Sequence, residues 1–172
     1  MNRTMRWLAA LAALFLYPAV AAAEVAWEGV PYARADISME LQQAADNVYY
    51  VIGRSGVPDA DNQGFMSNAG FVVTDQGVVV YDALGTPSLG WKLLQKIRSV
   101  TDKPVTHVVV GHYHADHVYG LQVFKDHTDA IIWAQERGLE YVNGPGAERR
   151  LQQRQQALFP WVDDSTRVVA PD

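Results

Sequence analysis

The sequence contains no cysteine. Disulfide staples, thiolate nucleophiles and cysteine metal ligands are therefore excluded, and stability must come from a buried core. An excess of positive charge is also missing. Fourteen Lys and Arg stand against 19 Asp and Glu, a formal net charge of −5. A mildly acidic chain without a basic stripe has no footprint for nucleic acid. The acids are dispersed, so no charge block marks a protein partner. Internal repeats and low-complexity tracts are absent too.

No apolar run is long enough for a comfortable membrane span. The longest extends from Trp7 to about Val20 and contains Pro18, whereas a spanning helix needs about 20 apolar residues. Arg3 and Arg6 precede it and "AVAAA" closes it before Glu24. A basic start, an apolar middle and a small-residue end describe a secretory signal peptide. The expectation is a leader over residues 1–23, cleavage after Ala23, and a mature domain over 24–172 in the periplasm or secreted, with no stable membrane anchor. Removal of Arg3 and Arg6 makes the remainder more acidic by two charges.

Past the leader, "ISMELQQAADN" suggests a short helix and "NVYYVIG" a β-strand, the latter from its β-branched and aromatic content. "RSGVPDADNQGFMSNAG" carries Gly, Pro, Asp and Asn throughout and reads as a loop. It is long for a structureless connection, and such loops are often functional. In "GFVVTDQGVVVYDAL" two β-branched runs flank Asp75-Gln76-Gly77, a hairpin signature. Both runs are nearly continuous in apolar residues, which predicts strands buried on both faces.

"TPSLGWKLLQKIRSV" predicts an amphipathic helix, with Leu89, Leu93, Leu94 and Ile97 on one face, Pro87 in its first turn and Lys96 and Arg98 near its C-terminus. "PVTHVVVG" reads as a strand opened by Pro104. "YGLQVFKD" is helix-like, "AIIWA" is strand-like, and "AERRLQQRQQALF" is a polar helix with Leu151 and Leu158 a heptad apart. "TRVVAPD" begins another strand or a loop. Strands alternating with helices after residue 80 indicate an α/β arrangement.

The chemistry concentrates in "VVVGHYHADHVYG". Three of the five histidines, with an aspartate, fall within six residues directly after an apolar strand. In extended backbone, residues two apart point the same way. His112 and His114 can therefore present imidazoles to one ion while Tyr113 points elsewhere. Asp116 and His117 lie where the chain must turn, and can face a second point nearby. Neutral imidazole with carboxylate suits zinc and related divalent ions. His107 lies roughly 16 Å from His112 along an extended strand, and His127 about 15 Å beyond His117 along a helix axis. Both read as structural. Tyr119 and the tryptophans read as core, with Trp161 a candidate loop anchor.

"HYHADH" fits H-x-H-x-D-H, and together with the preceding hairpin, the "VYDAL" strand end and the helix it resembles the metallo-β-lactamase superfamily from about Asn47 onward. The resemblance implies an αββα sandwich of which this chain carries the N-terminal half, and a site for one or two metal ions, commonly zinc, with iron or manganese as alternatives. By position, His112 and His114 would bind the first ion, and Asp116 and His117 the second. Asp116 would also orient the nucleophilic water, and Asp82 would match an acid that supports the metal loop. A further histidine, a bridging acid and a last histidine would lie beyond Asp172. The expectation is thus a C-terminally incomplete domain, either a fragment or a half-domain completed by a partner chain. The implied function is an exported hydrolase that uses metal-bound hydroxide on an ester, lactone, thioester or amide-type small molecule. Two alternatives stay open: an iron-dependent oxidoreductase or persulfide dioxygenase on the same fold, and a truncated, inactive metal-binding protein.

Overall fold

The computed structural model describes residues 25–172; the expected leader, residues 1–23, lies outside the described residues. Six strands form one sheet in sequence order: β1 (Gln42–Ala45), β2 (Val48–Val51), β3 (Ala69–Val73), β4 (Val78–Tyr81), β5 (Val105–Val109) and β6 (Ile131–Trp133). The first four pair antiparallel, and β4, β5 and β6 pair parallel. The switch follows from the connections. Tight turns join β1 to β2 and β3 to β4, and a long loop joins β2 to β3, whereas a parallel step needs a crossover. Here α1 (Pro87–Val100) and α3 (Leu121–His127) supply the crossovers. The short helices α2 (Ala115–Val118) and α4 (Gly138–Val142) and the longer α5 (Pro145–Leu158) complete the described structure. None of these is long and apolar enough to cross a membrane.

The hairpin forms as its sequence predicts, with Val73 opposite Val78. Gly77 sits at φ 149°, and a Cβ there would meet Pro104 O at 2.7 Å, so the turn requires glycine. Helix α1 starts at Thr86, whose hydroxyl accepts a hydrogen bond from Leu89 N at 3.1 Å, with Pro87 in the first turn. This satisfies one of the free amides of the helix end. Leu89, Leu93, Leu94 and Ile97 are all buried. They share a core with Phe71, Val80, Val108 and Ile132, which occupy one cross-strand row of the sheet.

Two expectations are corrected. "ISMELQQAADN" contains no helix: Gln42–Ala45 is β1, paired to β2 with Tyr50 Oη donating to Gln42 Oε1 at 2.8 Å. Asn47 turns the chain at φ 62°, a conformation its short polar side chain tolerates. The helix-favouring Gln and Ala are overridden by strand pairing. The second correction concerns β3 and β4. They are buried on one face only, in alternation. On the other face Tyr81 is 55% and Trp133 58% exposed, and Val72 and Ile131 are exposed as well. A hollow of about 450 Å3 lies over Tyr50, Val72, Val79 and Tyr81. A continuous apolar run states that a face is apolar; it does not state what covers it.

"TRVVAPD" resolves as a loop laid along β6: Asp172 N donates to Ile132 O at 2.9 Å, and Ile132 N to Asp172 Oδ2 at 2.7 Å. Residues 25–39 cross the helices as a strap. Trp91 Nε1 donates to Ala26 O and Lys92 Nζ to Ala35 O. Trp161 Nε1 donates to Arg34 O at 2.8 Å, so Trp161 anchors this segment.

Candidate metal centre

The site is assembled where β4 and β5 end side by side. Beyond β4 the backbone enters the left-handed region twice, at Asp82 (φ 60°) and Leu84 (φ 70°). Non-glycine residues there are strained and persist only when their surroundings enforce it. The enforcement is visible. Asp82 N donates to Val109 O, Ala83 N to His117 O and Gly120 N to Leu84 O. The turn after β4 is thereby tied to the end of β5 and to the C-terminal end of α2.

Asp82 is only 3% exposed. Its Oδ1 accepts from Gly111 N at 2.8 Å, and its Oδ2 lies 2.6 Å from His117 Nδ1. One carboxylate therefore spans from the loop after β5 to the first helix beyond it. Asp116 lies on the other side of the same imidazole, its Oδ2 3.3 Å from His117 Nε2. Asp116's carbonyl accepts a hydrogen bond from Ser67 Oγ, at the end of the long loop before β3. That loop is closed on itself by Asn62, which donates to Val57 O at 2.6 Å and accepts from Gly64 N at 2.8 Å.

The structure brings His112, His114, Asp116 and His117 together. The His112 ring centroid lies 4.5 Å from that of His114 and 4.2 Å from that of His117. Tyr113 points away, its hydroxyl donating to Val169 O at 3.3 Å. The His117 ring lies beside that of His112 and between the carboxylates of Asp82 and Asp116. His107 is set apart, on the open sheet face against Trp133, and His127 bonds Tyr32 at the far end of α3. Tyr119 is fully buried.

The electrostatics follow from these contacts. Burial alone would disfavour charge on His117, but hydrogen bonds to Asp116 and Asp82 outweigh it and raise its pKa to about 9. The hydrogen bond from His117 is the largest influence on Asp116, whose pKa falls to about 2 despite burial. For His112, burial and then the charges of His117 and His114 push the pKa down. As they stand, the side chains form a protonated imidazole clamped between two carboxylates. Among the described residues no group of three or more His, Asp or Glu donors is posed to hold a metal ion. Both nitrogens of His117 face carboxylates. The donor chemistry, imidazole with carboxylate, nonetheless fits a divalent cation. Such an ion requires neutral imidazole, so its entry would release the His117 proton.

Asp82→Asn keeps an oxygen for Gly111 N but turns an amide toward His117. The expected result is a loss of about 10–100-fold in zinc affinity, the range for outer partners of ligating histidines. Competitive titration against a chromophoric chelator measures it. Unchanged affinity would mean that Asp82 does not orient His117.

Ser67 was not legible as a site residue, since nothing local in "FMSNAG" distinguishes it; only the length of the preceding loop pointed to that region. The sequence reading assigned Asp82 only by position, because a strand-end acid is by itself an ordinary turn residue.

Residues 62–170 match the family model described as the metallo-beta-lactamase superfamily. A curated relative, the linear primary-alkylsulfatase of Pseudomonas sp. (strain ATCC 19151), is 29% identical over 77 residues, covering 42% of this chain and 15% of that protein. Among solved structures, a metallo-β-lactamase from Erythrobacter litoralis with β-mercaptoethanol in its active site aligns with TM-score 0.50 and 24% identity, over 60% of this chain and 44% of that one. One from Pontibacter korlensis aligns with TM-score 0.51 and 18% identity, over 60% and 47%. The chain thus spans less than half the length of these structures, and at such identities the likeness concerns the fold alone.

Proposed function

Since the chain belongs to the metallo-β-lactamase superfamily, we propose that it is an exported metal-dependent hydrolase of small molecules. The bond cleaved is an ester, lactone, thioester or amide, and zinc is the first metal to test. His112 and His114 would hold one ion, and Asp116 and His117 a second. When bound, a divalent ion supplies Lewis acidity and a water acidified from pKa ~16 to ~7. The chain's own part is positioning. Asp82 fixes the ring of His117, and Ser67 holds the backbone at Asp116. Asp116, ionised far below neutrality, accepts a hydrogen bond from the attacking water and orients it.

The observation that carries this reading is the convergence of three imidazoles on one another beside Asp116, braced from behind by buried Asp82. A nucleophilic cysteine is excluded by composition. Because one relative is a primary-alkylsulfatase, an alkyl sulfate belongs in the substrate panel beside carboxylic esters, lactones and thioesters.

Metal removal is the test. Chelation followed by dialysis should abolish hydrolysis, and zinc should restore it. Restoration by iron with dioxygen uptake, and none by zinc, would favour an iron-dependent oxidoreductase or persulfide dioxygenase. Metal uptake without turnover on any substrate would leave a binding protein whose site is incomplete in this chain.

A further inference from the structure

Gln63 stands out in the long loop before β3. It carries a side chain, yet its backbone lies in the left-handed region at φ 50°, and Gly64 follows at φ 78°. A non-glycine residue holds such a conformation only where its surroundings enforce it, and such positions cluster at functional sites. Asp82 and Leu84 of the turn after β4 are strained in the same way.

The enforcement at Gln63 comes from the strap. Its side-chain oxygen accepts from Asp36 N at 2.9 Å and from Ile37 N at 3.2 Å, using both lone pairs of the amide carbonyl. The strap is fixed at this point, because its carbonyls are held by other elements. Trp161 Nε1 donates to Arg34 O, and Lys92 Nζ donates to Ala35 O and Ile37 O. The Gln63 backbone is pinned in turn, Gln63 N donating to Asp59 O at 2.9 Å.

From Gln63 the path to the centre runs backbone against backbone. Gly64 packs on Thr86 and Leu158, where a Cβ would meet side-chain atoms at 2.9 Å. Its carbonyl oxygen presses on Gly85: a Cβ there would lie 2.7 Å from Gly64 O and 3.1 Å from Asp116 Cα. Gly85 is thus wedged between the loop and Asp116. Atoms packed this closely transmit a displacement rather than absorb it. Further along the loop, Ser67 Oγ donates to Asp116 O. The loop therefore bears on Asp116 at two points, and the strap fixes the loop at Gln63.

We infer that Gln63 is a positioning residue of the proposed metal centre: by clasping the strap it holds Gly64 and Ser67 in place, and through them the backbone of Asp116. This deepens the hydrolase reading by naming what places the carboxylate of its second ion, and it rests on that reading only for the presence of metal.

The test compares Gln63→Ala, Gln63→Glu and Gln63→Asn in the full chain. Glutamate keeps an oxygen for the two strap amides, and alanine removes it. Asparagine tolerates a left-handed backbone, but its arm is one methylene shorter, so it serves if the alanine variant fails to fold. The first readout needs no metal. In the metal-free chain Nε2 of His117 faces Asp116 and Nδ1 faces Asp82, so the two ring nitrogens report separately in 15N NMR spectra. Gln63→Ala and Gln63→Asn should shift the Nε2 resonance and leave Nδ1 in place, and Gln63→Glu should keep Nε2 at its wild-type position. The second readout is titration with cobalt(II), followed by its visible spectrum. The first equivalent should bind unchanged in Gln63→Ala, and the second about tenfold more weakly, the lower end for loss of an outer partner. An Nε2 resonance unmoved by loss of the clasp overturns the inference. So does an equal loss of both equivalents with both nitrogens shifted, which marks a general loosening of the fold. A wild-type chain that takes up no cobalt sinks the metal reading, and the Nε2 comparison still decides the role of Gln63. Metal-dependent hydrolysis with Nε2 indifferent to Gln63 keeps the hydrolase reading and removes the positioning role.

Discussion

His114→Ala removes metal-dependent hydrolysis and lowers metal content, by more than the roughly 100-fold that loss of an outer partner costs. The side chain is the direct neighbour of His112, with ring centroids 4.5 Å apart. The fold should be indifferent to the change. His114 sits at the start of α2 in extended backbone (φ −87°, ψ 149°) and its side chain makes no capping hydrogen bond. What it contributes to α2 is its carbonyl, which accepts from His117 N at 3.0 Å, and alanine retains that carbonyl. A surface change of this kind normally shifts stability by no more than about 0.5 kcal/mol. Metal content by mass spectrometry and kcat/KM on the best substrate are the measurements, with His107→Ala on the open face as a control that should retain both. Activity that survives His114→Ala undiminished would place the first ion elsewhere and overturn the proposed ligand set.

Gly120→Ala destabilises the whole domain by about 3 kcal/mol or more, the upper end of overpacking costs. A Cβ at Gly120 would lie 1.8 Å from Ala83 O, with Gly90 Cα at 3.0 Å; these are backbone atoms and cannot swing away. The reverse contact is equally tight, since a Cβ on Gly90 would lie 2.7 Å from Gly120 Cα. Helix α1 and the start of α3 thus cross at backbone contact, on top of the strained turn after β4. The expected fall in melting temperature is roughly 10 °C. Any molecules that remain folded should also bind metal poorly. Ala83 N holds His117 O, so moving Ala83 shifts His117 relative to Asp82. A melting temperature within about 2 °C of the wild type would show that the two segments do not approach this closely.

Much of the fold was legible because it is written in local periodicity. The hairpin is carried by Gly77 and its flanking valines. Helix α1 is carried by Thr86, Pro87 and a leucine stripe. The burial of Leu158 against a half-buried Leu151 follows the heptad spacing in α5. The helix α4 was not singled out, because five residues carry too little pattern. Strand β1 was misread as helix for the complementary reason: glutamine and alanine favour helix locally, and only the partner strand β2 overrules them.

The candidate centre divides along the same line. Residue types and spacing alone determined that His112, His114, Asp116 and His117 sit together, since six residues after a strand end cannot travel far. They also determined that this chain supplies no thiol nucleophile, because it has no cysteine. Only the tertiary structure decided that Asp82, 35 residues before His117 in the chain, clamps its imidazole. The same holds for Ser67, which holds Asp116 from a separate loop, and for Gln63, which ties that loop to the strap. It also decided that one apolar face of the sheet stands open. These are contacts between segments distant in sequence, set by which strands end side by side and which backbones touch. No local pattern of residues encodes them.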